Sequence, residues 1–125
     1  MFSQYSSTPF SVEPMEVHYP SGGSHPKLGG TTQVTPDLSK RHFSAGVEYI
    51  QKAIGLSAER LPSTKIPHLL NKMMLEATLD ATGTTVDVDV PITRPDVMHA
   101  CDIMEDVAVA YSFNKIPREL APVRC

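Results

Sequence analysis

The stretch Leu75–Val90, LEATLDATGTTVDVDV, alternates apolar and polar residues on both sides of a short turn. Leu75, Ala77 and Leu79 supply the apolar positions before the turn, and three valines supply them after it. Strict alternation places the apolar side chains on one face of a pleated strand. The turn at 81–83 contains a glycine, which tolerates the positive φ of tight hairpin turns. The stretch therefore predicts a β-hairpin with one buried face.

A first helix is predicted upstream of this hairpin, because Val47, Ile50 and Ile54 recur at intervals of three and four residues. Gly55 follows them and is a natural helix stop. Before this helix, the residues from His42 to Ala45 suggest a short strand.

A second helix is predicted between Gly55 and the hairpin. Ser63 or Thr64 is a suitable cap for it, and Pro67 falls in its first turn. Its predicted apolar face consists of Leu69, Leu70, Met73 and Met74.

A third helix is predicted from near His99 to about Ser112, with Pro117 preventing its continuation. The predicted order is therefore helix, helix, hairpin, helix. This order indicates an α+β fold in which three helices pack on a small antiparallel sheet.

Residues 1–40 have a different character, with sparse charges and both Gly-Gly pairs. One extended strand is predicted between Phe10 and Tyr19, and its alternation is interrupted at Pro14. Residues 21–26 and 29–32 have the composition of loops. We expect this extended, loop-rich segment to complete a sheet elsewhere.

The overall composition argues against several classes of protein. The formal net charge is -3, whereas proteins that bind nucleic acid over a broad surface usually carry a basic excess. Cys101 and Cys125 form no CxxC motif, so neither a zinc site nor a disulfide scaffold is predicted. No signal peptide and no membrane-spanning stretch is recognisable, which favours a reducing, cytoplasmic location.

Acidic residues concentrate at the start of the third helix. Asp102, Glu105 and Asp106 share one helical face, and Asp96 lies just before the helix. Hard carboxylate oxygens in this arrangement suit Mg²⁺ or Ca²⁺. Acids near a helix N-terminus also stabilise the helix dipole, and a solvated acidic face needs no metal. The spacing alone leaves both interpretations open.

Arg94 stands beside these acids and has two interpretations. It either pairs with the acidic residues as an internal counter-ion or faces a partner molecule. Pairing is the expected outcome. His99, near the helix start, is expected to be structural.

The segment that carries these acids resembles the end of the B5 domain in phenylalanyl-tRNA synthetase β subunits. The run from His99 to Ile103, followed by Glu105 and Asp106, is similar to the eukaryotic and archaeal branch of that family. The resemblance extends upstream through the two predicted helices and the hairpin. It also includes residues 10–17 and 35–38.

The resemblance implies an ATP-dependent ligase that joins phenylalanine to tRNA(Phe) as an (αβ)₂ heterotetramer. The α subunit of that enzyme holds the aminoacylation site, so no catalytic residue is expected here and the fragment alone is not expected to be catalytic. In the β subunit, the family associates a magnesium ion with acids that correspond to Asp96, Asp102, Glu105 and Asp106, at a site linked to the α subunit.

The resemblance also implies a division of the chain into three parts. Residues 1–40 would be a linker and strand segment that follows the editing (B3/B4) region, and 41–118 would be the B5 domain. Residues 119–125 would be a truncated C-terminal end.

One position departs from the family pattern. Ser112 stands where family members commonly have a glycine, which would suit a left-handed helix end. Asn114 is an alternative site for that conformation.

Two other functions remain open. B5 domains have been compared with winged-helix folds, so a nucleic-acid-binding module for DNA or tRNA is the alternative. Lys52, Arg60, Lys65 and Lys72 would form its basic patch. A fragment that folds without a function of its own is the third interpretation.

Overall fold

The computed structural model describes residues 2–8, 11, 13–19 and 32–118. The chain divides into two compact units, Met1–Leu38 and Ser39–Cys125. Each unit has its own antiparallel sheet.

The first unit contains a pair of short strands, β1 (Met15–His18) and β2 (Thr32–Thr35). They run antiparallel, with Met15 opposite Thr35 and His18 opposite Thr32. The prediction that Thr32 lies in a loop is therefore wrong. Its hydroxyl lies 3.2 Å from the His18 ring, in the register that the backbone pairing sets.

The predicted N-terminal strand is also shorter than expected. β1 begins just after Pro14, which has no N–H to donate to a ladder. It pairs with β2 of its own unit rather than with a distant sheet. The predicted strand positions Phe10 and Val12, and the predicted loops at 21–26 and 29–31, lie outside the described residues.

The second unit is built on a three-stranded sheet of β3 (Arg41–Gly46), β4 (Glu76–Leu79) and β5 (Thr85–Val90). Their order is β3-β5-β4, and both pairings are antiparallel. The predicted hairpin and the predicted short strand are thus confirmed. The alternation in β5 places its three valines on the helical side, where they are fully buried.

Helices α1 (Val47–Ile54), α2 (Lys65–Lys72) and α3 (Ala100–Tyr111) cover that face of the sheet. Gly55 ends α1 with φ 79°, as its position predicted. Thr64 immediately precedes α2, in the predicted position, but its side chain makes no capping hydrogen bond. The prediction that this side chain caps the helix is therefore wrong.

Met74 does not extend the apolar face of α2 as predicted. The helix ends at Lys72, and Met74 turns the chain with φ 61° and an exposed fraction of 67%. Leu69 and Leu70 are buried as expected.

A single apolar core lies between the helices and the sheet. Each helix and each strand of this unit contributes to it. The α+β class, with three helices on a small antiparallel sheet, is confirmed for the described part of the chain. The largest fully buried side chains of this core are Ile50, Leu61, Ile66, Leu70, Ile103, Val86, Val88, Val90, Val97 and Val107.

Strand β4 forms one edge of this sheet. The Ala77 N–H donates to the side-chain oxygen of Asn71, at 2.9 Å, rather than to a neighbouring strand. The longest helix in the described part of the chain is α3, with 12 residues. No helix there is long and apolar enough to cross a bilayer.

The end of α3 shows where the chain departs from an ideal helix stop. Ser112 has φ 87° and ψ 116°, and its N–H donates to the carbonyls of Ala108 and Val109. The alternative that Asn114 would take the left-handed conformation is wrong, since Ser112 has the positive φ. A side chain at such a φ is strained, because its Cβ crowds the backbone.

Replacing Ser112 by glycine is expected to raise the free energy of unfolding by about 1 kcal/mol, because glycine adopts positive φ without that strain. Thermal denaturation followed by circular dichroism measures the change. Ser112→Ala is the matched control, since it removes the hydroxyl but keeps Cβ. An equal gain in both variants would contradict the backbone explanation.

Candidate metal centre

Arg94 joins three parts of the second unit. It lies between β5 and α3, and its Nη1 donates to the Met73 carbonyl at 2.6 Å, just beyond α2. Its Nη2 donates to carboxylate oxygens of Asp96 at 2.7 Å and of Asp106 at 2.8 Å. The Arg94 carbonyl in turn accepts a hydrogen bond from Arg41 at 2.6 Å. The predicted pairing of Arg94 with the acidic residues is confirmed.

The two carboxylates that Arg94 binds differ in their surroundings. Asp96 is open to solvent, and the hydrogen bonds from Arg94 lower its pKa below the ordinary value. Asp106 is buried, and the loss of water around it raises its pKa although Arg94 acts in the opposite direction. Arg94 therefore holds a charge at Asp106 that burial disfavours.

Asp102 is engaged with the backbone at the start of α3. One of its carboxylate oxygens accepts the N–H groups of Met98 and His99, each at 2.8 Å. These two hydrogen bonds lower the pKa of Asp102. Asp102 is thus the acid that stabilises the helix N-terminus, as one of the two interpretations predicted. His99 is the residue that precedes the helix.

Asp102 and Glu105 are both among the residues that line one recess beside α3. Its volume is about 350 Å³. Glu105 is exposed, and within the described ranges its side chain has no ion pair or hydrogen-bond partner. The second Asp102 oxygen has only the Cys101 thiol near it, at 3.7 Å. Met104, Ala108 and Phe113 complete the wall of the recess.

The four predicted site residues therefore fall into two groups around α3. Asp96 and Asp106 are held by the Arg94 guanidinium, whereas Asp102 is bound by two backbone N–H groups and the Cys101 thiol, and Glu105 has no described partner. No group of three or more His, Cys, Asp and Glu side chains in the described residues has the spacing to hold a metal ion. Mg²⁺ usually takes only one or two direct carboxylates and keeps several waters, so the chemistry of Asp102 and Glu105 fits it. The magnesium site stays a prediction.

The bond from Arg94 to the Met73 carbonyl was not predicted. That carbonyl becomes available because the chain leaves α2 through the positive φ of Met74. A methionine at positive φ has no recognisable sequence signal, since such residues rarely adopt it. The hydrogen bond between Arg94 and the Met73 carbonyl, 21 positions apart, could therefore not be predicted from the sequence.

Comparison with known proteins agrees with this architecture. Residues 43–113 match the family described as the tRNA synthetase B5 domain. The chain belongs to this family. The match covers all three helices of the second unit, the acidic segment, and the sheet apart from Arg41 and His42 at the start of β3.

Particular relatives are β subunits of one synthetase. The chain is 39% identical over 119 residues to the phenylalanine–tRNA ligase β subunit of Saccharomyces cerevisiae, and 36% identical over 119 residues to the cytoplasmic one of Arabidopsis thaliana. These alignments cover 94% and 93% of the chain but 18% of each relative. The predicted resemblance to this β subunit is confirmed.

A solved structure shows the same likeness. It is an N-terminal fragment of the phenylalanyl-tRNA synthetase β subunit from Pyrococcus horikoshii, with a TM-score of 0.56 and 39% sequence identity. The match covers 64% of the chain and 22% of that structure.

Proposed function

We propose that the chain acts as a non-catalytic B5 module of a phenylalanine–tRNA ligase β subunit, within an enzyme that uses ATP to attach phenylalanine to tRNA(Phe). The observation that carries this proposal is the match of 94% of the chain to the yeast β subunit. The module would contribute to assembly with the α subunit in an (αβ)₂ enzyme. A cytoplasmic location is supported by the name of the Arabidopsis relative.

A magnesium site at Asp102 and Glu105 is part of the proposal. Both residues line the same recess, and Glu105 has no hydrogen-bond partner in the described part of the chain, whereas the second Asp102 oxygen accepts only the Cys101 thiol at 3.7 Å. When bound, Mg²⁺ would neutralise negative charge on this face. Asp96 and Asp106 would support the site indirectly, because their ion pairs with Arg94 hold the segment that precedes α3 against that helix.

Co-expression of the chain with a cognate α subunit tests the proposed role in assembly. We expect the two to co-purify, with weaker capture in EDTA than in Mg²⁺. Failure of capture under both conditions would contradict an assembly role for this part of the β subunit.

Removal of the open carboxylate tests the metal site independently of assembly. We expect Glu105→Gln to abolish the heat of Mg²⁺ binding by the chain, measured by titration calorimetry, because Glu105 has no other partner to lose. Glu59→Gln is the matched control on an exposed acid away from the recess. Equal binding by the two variants would refute a role for Glu105 as a ligand.

A further inference from the structure

The face of the three-stranded sheet that points away from the helices carries several charged side chains. In β5, Asp87 and Asp89 alternate with the buried valines and therefore point to this outer face. In β3, His42 is exposed while its neighbour Phe43 packs against the core, so His42 lies on the same face. The backbone register places His42 directly opposite Asp89. The histidine and the two aspartates are therefore neighbours across the β3–β5 pair.

The His42 ring lies between the two carboxylates of β5. Its Nδ1 is 2.9 Å from an oxygen of Asp89, and its Nε2 is 3.9 Å from an oxygen of Asp87. A neutral imidazole has one N–H, so donating it to Asp89 leaves the lone pair of the other nitrogen facing Asp87. An imidazolium has an N–H on each nitrogen and a positive charge that attracts both acids. The geometry therefore favours the protonated ring.

Two further charged groups, Glu76 and Lys40, lie beside this histidine and its aspartates. Glu76, in β4, stands directly opposite Asp89, and like charges in that position destabilise a sheet. Lys40 neutralises Glu76, because its Nζ lies 2.6 Å from both carboxylate oxygens. Among the ion pairs of the described residues, those of Asp87 and Asp89 involve only His42. The two aspartates therefore pair with a cation that loses its charge near neutral pH.

The strand that carries this histidine is held to the sheet along one side. Within residues 39–118, β3 is an edge strand, and β5 is its only strand partner. Ala45 buries the far end of β3 in the core, and Arg41 bonds to the Arg94 carbonyl. On the outer face, His42 makes the charged contact at the start of the strand. Because marginal elements open locally without global unfolding, a change at His42 acts first on β3.

We propose that His42, Asp87 and Asp89 form a pH-sensitive link, which holds the start of β3 against β5 while His42 is protonated and loosens it when His42 loses its proton. The link rests on the geometry of the sheet and is independent of the proposed magnesium site and of assembly with another subunit.

The direction of the pH dependence follows from the surroundings of His42. The hydrogen bond to Asp89 raises its pKa above the ordinary value of about 6.5, and the charges of both aspartates add to this effect against a small opposing effect of desolvation. A raised pKa in the folded protein means that the stabilisation is complete below about pH 6.5 and is lost as pH rises through the higher value. The start of β3 is therefore held more firmly in mildly acid than in mildly alkaline solution.

Nuclear magnetic resonance of the whole chain tests the proposal. The pH titration of the His42 ring resonances is compared between the parent protein and Asp87→Asn/Asp89→Asn. Hydrogen exchange of the β3 amides, corrected for the intrinsic rate of each amide, is measured at about pH 5.5 and about pH 8.5, on either side of the histidine titration. His42→Gln removes the titrating group. His68→Gln is the matched control, because His68 is exposed on α2 and lies outside the ion pairs of the described residues.

We expect His42 to titrate above about pH 6.5 in the parent protein and nearer to that value in the double variant. Protection of the β3 amides should fall about two- to fourfold from the acid to the alkaline condition, as expected for an exposed ion pair. This fall should persist in His68→Gln and disappear in His42→Gln. A His42 titration that is unaffected by the loss of both aspartates, or the same pH dependence of β3 protection in the two histidine variants, would overturn the proposal. Circular dichroism verifies that each variant is folded.

Discussion

Replacing Arg94 by methionine is expected to lower the free energy of unfolding by about 3–5 kcal/mol, the range for removing one partner of a buried ion pair. The side chains of Arg94 and Asp106 are only 14% and 9% exposed, so solvent does little to replace the lost contact. The change leaves the Asp106 carboxylate buried without its cation. It also removes the donor to the Met73 carbonyl. Urea denaturation measures the loss.

The destabilisation should depend on pH in a definite direction. Without Arg94, nothing opposes the effect of burial, so the pKa of Asp106 should rise further in the folded protein. The folded state then retains a proton that the unfolded chain releases above about pH 3.9, and the variant becomes less stable as pH rises. Asp96 acts in the same direction, since its lowered pKa stabilises the parent protein only above that range. The difference between the two proteins should therefore be largest at neutral pH.

A double variant separates the charge from the packing. In Arg94→Met/Asp106→Leu the buried carboxylate is absent, and most of the loss should be recovered, because apolar residues often substitute well for a buried pair. Measurements in EDTA exclude a contribution from bound metal. Equal losses in the single and double variants would show that the destabilisation does not come from an unpaired Asp106.

Replacing Ile103 by alanine is expected to lower the free energy of unfolding by about 2–5 kcal/mol, the range for large-to-small changes in a core. Ile103 is fully buried on α3, in the core that joins this helix to the sheet. Its removal leaves a cavity that the surrounding helices and strands fill only partly. The midpoint of urea unfolding should fall while its slope stays constant.

Val109 provides the control on the same helix. It is 43% exposed, so Val109→Ala should change stability by less than about 1 kcal/mol. Similar losses at both positions would mean that α3 does not pack on the core through Ile103.

Local sequence patterns predicted much of the second unit. The alternation around Gly83 predicted the hairpin, and Gly55 predicted the end of α1, because both signals act over a few neighbouring residues. The pairing of Arg94 with acids was also predictable, since Asp96 is two residues away and Asp106 lies on the adjacent helix.

Other features depend on tertiary structure that local patterns do not contain. The positive φ of Met74 and of Ser112 contradicts the ordinary preferences of these residues. The separation of the acids into two groups depends on which carboxylates the Arg94 side chain reaches and on the two backbone N–H groups that bind Asp102.

The hydrogen bond between Asn71 and Ala77 also affects whether a second molecule can pair with the edge strand β4. An outer strand offers backbone groups that another chain can use to extend the sheet. At β4 the Asn71 amide oxygen already occupies the Ala77 N–H. A second molecule would have to displace that side chain before forming a ladder at this position. Strand addition, a route to fibrous aggregates, is therefore hindered at Ala77.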